Sequence, residues 1–371
     1  MKILADQNMP LVDAFFAPLG EIERFDGRAL TPEMVKDADV LLTRSVTQVN
    51  AALLAQNTSL KFVGTATIGV DHIDQNYLAE RQVPFASAPG CNAVAVAEYV
   101  LSAVFALAQE QHFSVFDKTI AIVGVGNIGQ CLADKLAAIG VKTLLVDPPR
   151  QARGDADDWH SLEAALAEAD IITFHVPLVK DGEHCTYHLL DKQRIDALAE
   201  GKIVINASRG DVIDNQALLV RQQAQDDLCL VLDVWENEPD ILEDLLPYVE
   251  LASVHIAGHT LEGKGRGTLM LYQALCQHLG LTPSSDLAQH LPTPSLAQLT
   301  LSESWSKEEL GALVHLIYDV RRDDAILRAQ LHSHGFDLLR KTYPVRRELS
   351  TLTLGGNNPY LSALAAFGFS I

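Results

Sequence analysis

Three short stretches carry side chains that can run acid–base chemistry on a small organic acid. They are Asn206-Ala-Ser-Arg209-Gly210, Asp233-Val-Trp-Glu236-Asn-Glu238-Pro239 and His255-Ile-Ala-Gly258-His259-Thr260. A guanidinium clamps a carboxylate through two parallel hydrogen bonds. An imidazole can take a hydroxyl proton as hydride leaves the neighbouring carbon, and a carboxylate behind it fixes its orientation and stabilises its positive form. Arg209, Glu238 and His255 therefore form a candidate set for oxidising a hydroxy acid. Each also has a plainer reading: a surface ion pair, a solvated acid in an acidic loop, a satisfied core histidine. Glu236 competes with Glu238 for the place behind the imidazole.

Such an oxidation needs a hydride acceptor, and Thr119 to Asp147 has the pattern of a dinucleotide site. An apolar run ends in Gly124-Val125-Gly126-Asn127-Ile128-Gly129, a helical pattern follows through Leu132, Leu136 and Ile139, and a second apolar run ends at Asp147. Glycines let the backbone turn tightly and approach a pyrophosphate, which then faces the free N–H groups at the helix start. Asp147, 18 residues after Gly129, is spaced to accept hydrogen bonds from an adenosine ribose. The three acid–base stretches each follow an apolar run as well. In an open parallel sheet ligands gather at the carboxyl ends of the strands, so residues distant in sequence can converge there.

The elements that must position these groups alternate along the chain. Strands are expected at residues 2–5, 21–25, 40–43, 62–65 and 83–86, with helices starting near Pro10, Pro32, Asn50 and Ile73; this is a parallel α/β unit without a glycine turn of its own. A long apolar helix from Asn92 to about Ala108 leads into the glycine-turn unit, which continues with strands at 171–174, 203–206 and 228–233. Residues 261–279 form a helix returning to the first unit. After a Pro-, Thr- and Ser-rich stretch at 281–294, residues 306–322 have the apolar spacing of one helix face.

The 371 residues suit two or three domains. A formal charge of −20 repels phosphate backbones and anionic lipid, which counts against nucleic-acid and membrane partners. Five scattered cysteines without a CxxC pair, and an N-terminus without a signal-peptide pattern, point to reduced thiols in the cytoplasm. His184, Cys185 and His188 lack a fourth ligand of matching spacing, so no metal site is expected.

The GVGNIG turn, SRG, DVWENEP and HIAG, in this order, resemble the D-isomer-specific 2-hydroxyacid dehydrogenases. The resemblance covers residues 1 to about 280 and implies an NAD-dependent enzyme. It implies catalysis by Arg209, Glu238 and His255, and cofactor contacts from Gly124, Gly126, Asn127, Ile128, Gly129, Asp147, Asp233 and Gly258. Asp6-Gln-Asn-Met-Pro10, Arg44-Ser-Val-Thr47, Gly64-Thr-Ala-Thr67-Ile-Gly-Val-Asp71-His72 and Ala88-Pro-Gly-Cys-Asn92 narrow it to a branch acting on a small phosphorylated 2-hydroxy acid. Ser45 and Thr67 would contact that substrate, and His259 stands where the branch has a substrate-contacting tyrosine. Arg44 is the leading candidate for the phosphate; Lys264, Arg266 and the Arg346-Arg347 pair are weaker, their plainer reading being solvated surface charge. The implied architecture is a flavodoxin-like substrate domain (1–92, completed by 259–280), a Rossmann domain (93–258) and a small α+β dimerisation domain (281–371) that makes a homodimer. A related dehydrogenase, such as one acting on 3-phosphoglycerate, and a non-catalytic NAD-sensing scaffold are the competing readings.

Overall fold

The computed structural model describes residues 1–371. Packing divides the chain into two compact units, residues 1–92 with 259–293 and residues 93–258 with 294–371.

In the first unit, strands β1 (Lys2–Asp6), β2 (Glu21–Phe25), β3 (Val40–Thr43), β4 (Phe62–Thr65) and β5 (Phe85–Ala86) form a parallel sheet. Its order, β2-β1-β3-β4-β5, is that of a flavodoxin-like fold. Strand alternation sends Ile3, Ala5, Val40, Leu42 and Phe62 to one face, where they meet Leu271, Tyr272 and Leu275 of the helix Leu261–His278. Leu4, Leu41 and Val63 face the opposite core with Leu54 and Leu78. A Cβ on Gly64 would come within 3.0 Å of Leu271, so glycine there lets the helix lie close on β4.

The helix expected from Asn50 is absent; residues 51–56 form turns. Asn57 accounts for the break. Its amide donates to the carbonyls of Val35 and Ala38 and accepts from the N–H groups of Ser59 and Leu60, replacing the bonds that a continuing helix would make.

The second unit contains a six-stranded parallel sheet of β6 (Thr119–Val123), β7 (Lys142–Val146), β8 (Ile171–Phe174), β9 (Ile203–Asn206), β10 (Cys229–Leu232) and β11 (Leu251–Ala252). The order is β11-β10-β9-β8-β6-β7. A third strand next to β7 is reduced to a single bridge between Leu145 and Trp159, and counting it gives the strand order of a Rossmann fold. The helix Ala93–Glu110 is long and apolar enough to cross a membrane, but it is packed inside this unit.

Residues 281–371 do not pack as one block. Residues 281–293 go with the first unit and 294–371 with the second, because Leu310, Leu313, Val314, Leu364 and Phe367 share one apolar core with Val100, Val104, Leu132 and Leu136. The single helix expected over 306–322 is broken into Leu310–Ile317 and Arg321–His334, with Tyr318 extended between them. Ser102 holds the break open: its hydroxyl donates to the Tyr318 carbonyl at 2.9 Å and accepts from the Val320 N–H at 3.1 Å. Strands β12 (Gln298–Leu301) and β13 (Thr353–Gly356) pair in parallel.

Candidate active site

The glycine turn lies after β6, beside β8, where the strand order of the second unit reverses. Gly124 has φ +92°, and a Cβ there would meet the His175–Val176 backbone at 2.8 Å. A Cβ on Gly129 would collide with the Gly124 carbonyl, whereas one on Gly126 would meet nothing within 4 Å. The first and third glycines are thus needed for packing and the middle one faces open space, which is the cradle a pyrophosphate requires. The helix Asn127–Ala138 has no side-chain cap at its start, so the N–H groups of Asn127, Ile128 and Gly129 are the ones available to an anion. This set of residues fits NAD.

Asp147, directly after β7, holds the turn. It accepts from the Val125 N–H at 2.8 Å and from the Arg150 N–H at 3.0 Å. Arg150 and Arg153, the cations able to attract a 2′-phosphate, are both paired: Arg150 with Asp155 at 2.7 Å and Asp157 at 3.4 Å, Arg153 with Asp155 at 3.7 Å. His175, at the end of β8, is buried, and burial pushes its imidazole down to about 3, so it is neutral.

The loops after β10 and β11 bring His255 and Glu238 together, with His255 Nδ1 2.7 Å from Glu238 Oε2. The other Glu238 oxygen accepts from the Trp235 N–H at 2.9 Å. Burial pushes the Glu238 carboxyl up, but the bond and charge of His255 and the Trp235 N–H outweigh it and hold the group below its ordinary range. An ionised carboxylate only accepts, so Nδ1 carries a proton and Nε2 is the nitrogen left to exchange a proton with a substrate. His255 adopts φ +57° and Asn237 φ +61°, a region disfavoured for side chains with a Cβ and common at functional sites.

Asp233 organises this loop, a role its motif position does not suggest. Its carboxylate accepts from the Ser253 hydroxyl at 2.6 Å and from the N–H groups of Ile256 at 2.7 Å and Ala257 at 3.0 Å, and its carbonyl accepts from the His255 N–H at 2.7 Å. Gly258 closes the segment as the last residue of the second unit before 294.

Arg209 follows β9 on a turn built by Asn206, whose side chain accepts from the Ser208 N–H and hydroxyl and donates to the Arg209 carbonyl. Next to it, Gly210 lies so close to the Trp235–Glu236 backbone that a Cβ would overlap it. That contact joins the arginine loop to the loop bearing Glu238. Glu236 does not stand behind His255. It pairs with His188 Nε2 at 2.7 Å and accepts from the Asn215 N–H at 2.7 Å, while the Asn215 side-chain oxygen accepts from the Glu236 N–H at 3.1 Å. His188, Asp214 and Glu236 bring three ligand-type atoms within 4.8 Å. Both Glu236 oxygens are already engaged and Asp214 caps the helix Asn215–Gln225, so the trio acts as a clasp between loops.

The first unit carries the substrate candidates at the ends of its strands. Ser45 is exposed two residues after β3, and Arg44 reaches the Asn8 carbonyl at 3.4 Å. Burial raises the Cys91 thiol and the charges of Arg266 and Arg44 oppose that rise, so both guanidiniums lie near this cysteine. Arg266 also donates to the Cys91 carbonyl at 2.9 Å. The Thr67 hydroxyl bonds the Gly69 carbonyl and the Thr65 hydroxyl, each at 2.8 Å. His259 directly precedes Thr260, which caps the helix Leu261–His278. Arg346, by contrast, is not surface charge: it is buried in the second unit.

Residues 94–260 match the family model of the D-isomer specific 2-hydroxyacid dehydrogenase NAD-binding domain, and residues 290–368 match a domain of unknown function. The chain is 59% identical to erythronate-4-phosphate dehydrogenase of Pseudoalteromonas translucida, over 100% of both chains. It is 52% identical to the enzyme of that name from Tolumonas auensis, over 100% of this chain and 99% of the relative. Among solved structures it is similar to the TT0316 protein of Thermus thermophilus, with a TM-score of 0.64 and 25% identity over 76% of this chain and 98% of the other. The chain belongs to the D-isomer specific 2-hydroxyacid dehydrogenases, NAD-dependent enzymes that act on a CH–OH group, and within them to the erythronate-4-phosphate dehydrogenase family.

Proposed function

We propose that this protein oxidises 4-phospho-D-erythronate at C2 to 3-hydroxy-2-oxo-4-phosphooxybutanoate, a step of vitamin B6 biosynthesis. The His255–Glu238 pair at 2.7 Å, in a chain that matches its relatives end to end, carries this reading. Bound NAD⁺ supplies the acceptor for the hydride released from C2. His255 Nε2 takes the hydroxyl proton, and Glu238, already ionised and bonded to Nδ1, stabilises the imidazolium that results. Arg209 clamps the substrate carboxylate, and Asp233 keeps the His255 loop in place while accepting from the nicotinamide amide with its remaining lone pair. Ser45, Thr67 and His259 contact the substrate, and Arg44, helped by Arg266, holds its phosphate.

The test is formation of NADH from 4-phospho-D-erythronate beside 3-phosphoglycerate and unphosphorylated erythronate. A kcat/KM that favours 3-phosphoglycerate would overturn the substrate assignment. His255→Asn should lower kcat by about a hundredfold or more with little change in NAD affinity; near-normal turnover would remove the proton-acceptor role.

The proposal also includes a cytoplasmic homodimer built through the region after residue 280. Five free cysteines support the compartment. Exposed Leu316, Leu338 and Val345 support an apolar contact surface in the C-terminal segment. A chain that sediments as a monomer at about micromolar concentration would contradict the dimer.

A further inference from the structure

The segment 255–257 is held from two sides. Its N–H groups are bonded by Asp233, which directly follows β10. The Ala257 carbonyl is bonded by a residue far away in sequence, Arg346, whose Nη1 donates to it at 2.9 Å. The same guanidinium donates through Nη2 to the Ala95 carbonyl at 2.5 Å, on the helix Ala93–Glu110, and lies 3.6 Å from the Tyr318 ring centroid. Tyr318 is fixed in turn, its hydroxyl donating to Asp323 at 2.7 Å. Arg346 is 2% exposed. It is therefore locked at its head by two carbonyls and an aromatic face, all within the second unit.

What Arg346 holds is two residues from His255, which has a left-handed backbone at φ +57°. A histidine in that conformation persists when its surroundings over-determine it. Asp233 supplies the N–H side of that restraint, and the guanidinium supplies the carbonyl side. A guanidinium suits the task because its fork can serve two carbonyls at once while it stays charged and stacked. We propose that Arg346 is a positioning residue for His255, so that the C-terminal segment completes the proton-accepting loop of its own chain, apart from any part it plays in dimerisation. The inference rests on the reading of His255 as proton acceptor.

The experiment is a cycle in the full-length protein: wild type, Arg346→Lys, His255→Asn and the double variant. A lysine keeps the charge but loses the fork. Arg346→Lys should fold, bind NADH and sediment as wild type, with kcat lowered about tenfold or more and KM changed less than about threefold. In the His255→Asn background the same substitution should lower the residual kcat less than about twofold, because it acts through a group already removed. Hydrogen exchange at the amides of Ile256 and Ala257 should speed up in Arg346→Lys, with β6 unchanged. If Arg346→Lys does not fold, Tyr318→Leu, which removes the ring under the guanidinium, replaces it and should give the same non-additive loss. Unchanged kcat in the folded variant, or losses that multiply in the double variant, would overturn the role of Arg346 and leave His255 untouched. A His255→Asn enzyme with near-normal turnover would instead remove the reading on which the inference rests.

Discussion

Glu238→Gln isolates what a carboxylate behind the imidazole contributes. The 2.7 Å bond from His255 Nδ1 and the 2.9 Å bond from the Trp235 N–H occupy one Glu238 oxygen each, and the side chain is 19% exposed. A glutamine keeps its oxygen toward the Trp235 N–H and turns its NH₂ toward His255. Nδ1 must then accept, the proton moves to Nε2, and the nitrogen that should take the hydroxyl proton no longer has a lone pair. The lost charge adds to this. A unit charge at about 4 Å is worth about 4 kcal/mol at an effective dielectric of about 20, and hydrogen bonds to charged groups contribute about 1.5–3 kcal/mol net. Taking roughly 2–4 kcal/mol, kcat should fall about thirty- to several-hundred-fold. The glycine turn is untouched, so NADH affinity by fluorescence titration should stay within about threefold. Steady-state kcat within about threefold of wild type would refute the pairing argument.

Arg44→Ala should lose about ten- to a hundredfold in kcat/KM with the phosphorylated acid but little with erythronate; equal losses with both would assign Arg44 to the fold or the carboxylate. Because Asp147 repels a 2′-phosphate and Arg150 is occupied by Asp155 and Asp157, kcat/KM with NADP should be at least about a hundredfold below that with NAD. Comparable values would show that the arginines set the preference. Burial pushes the Glu98 carboxyl from 4.5 up to about 7, opposed by Lys135. Between those values the folded protein keeps a proton that the unfolded chain has released, so its stability falls as pH rises through that window. Glu98→Gln should flatten this dependence, read as thermal midpoints at about pH 5 and about pH 8; an unchanged slope would rule Glu98 out as its source.

Much of the scaffold is legible from residue order. Strands buried on both faces read as short apolar runs, and the expected strands 40–43, 62–65, 171–174 and 203–206 coincide with the observed bounds, as does the mostly exposed strand 21–25 at the sheet edge. The glycine spacing announces its own turn, since a Cβ at Gly124 or Gly129 would clash with backbone. The pairing of His255 with Glu238 rather than Glu236 follows from the motif, though its cause, His188 drawing Glu236 away, is not visible there.

Tertiary structure decided what local pattern could not. Residues 306–322 have a continuous helical face, yet Ser102, more than two hundred residues earlier, opens the helix at Tyr318. Residues 281–371 read as a separate small domain, but the apolar side chains of 294–371 fill the core of the nucleotide unit. Arg346 reads as surface charge, because an isolated arginine is costly to bury and composition favours leaving it in water. It is buried with Nη1 and Nη2 on two backbone carbonyls and the Tyr318 ring beside it, which offset part of the lost hydration while Nε has no partner. A sequence displays the donors of each residue at its own position. Which distant carbonyl will be left without a partner is settled only when the chain closes on itself.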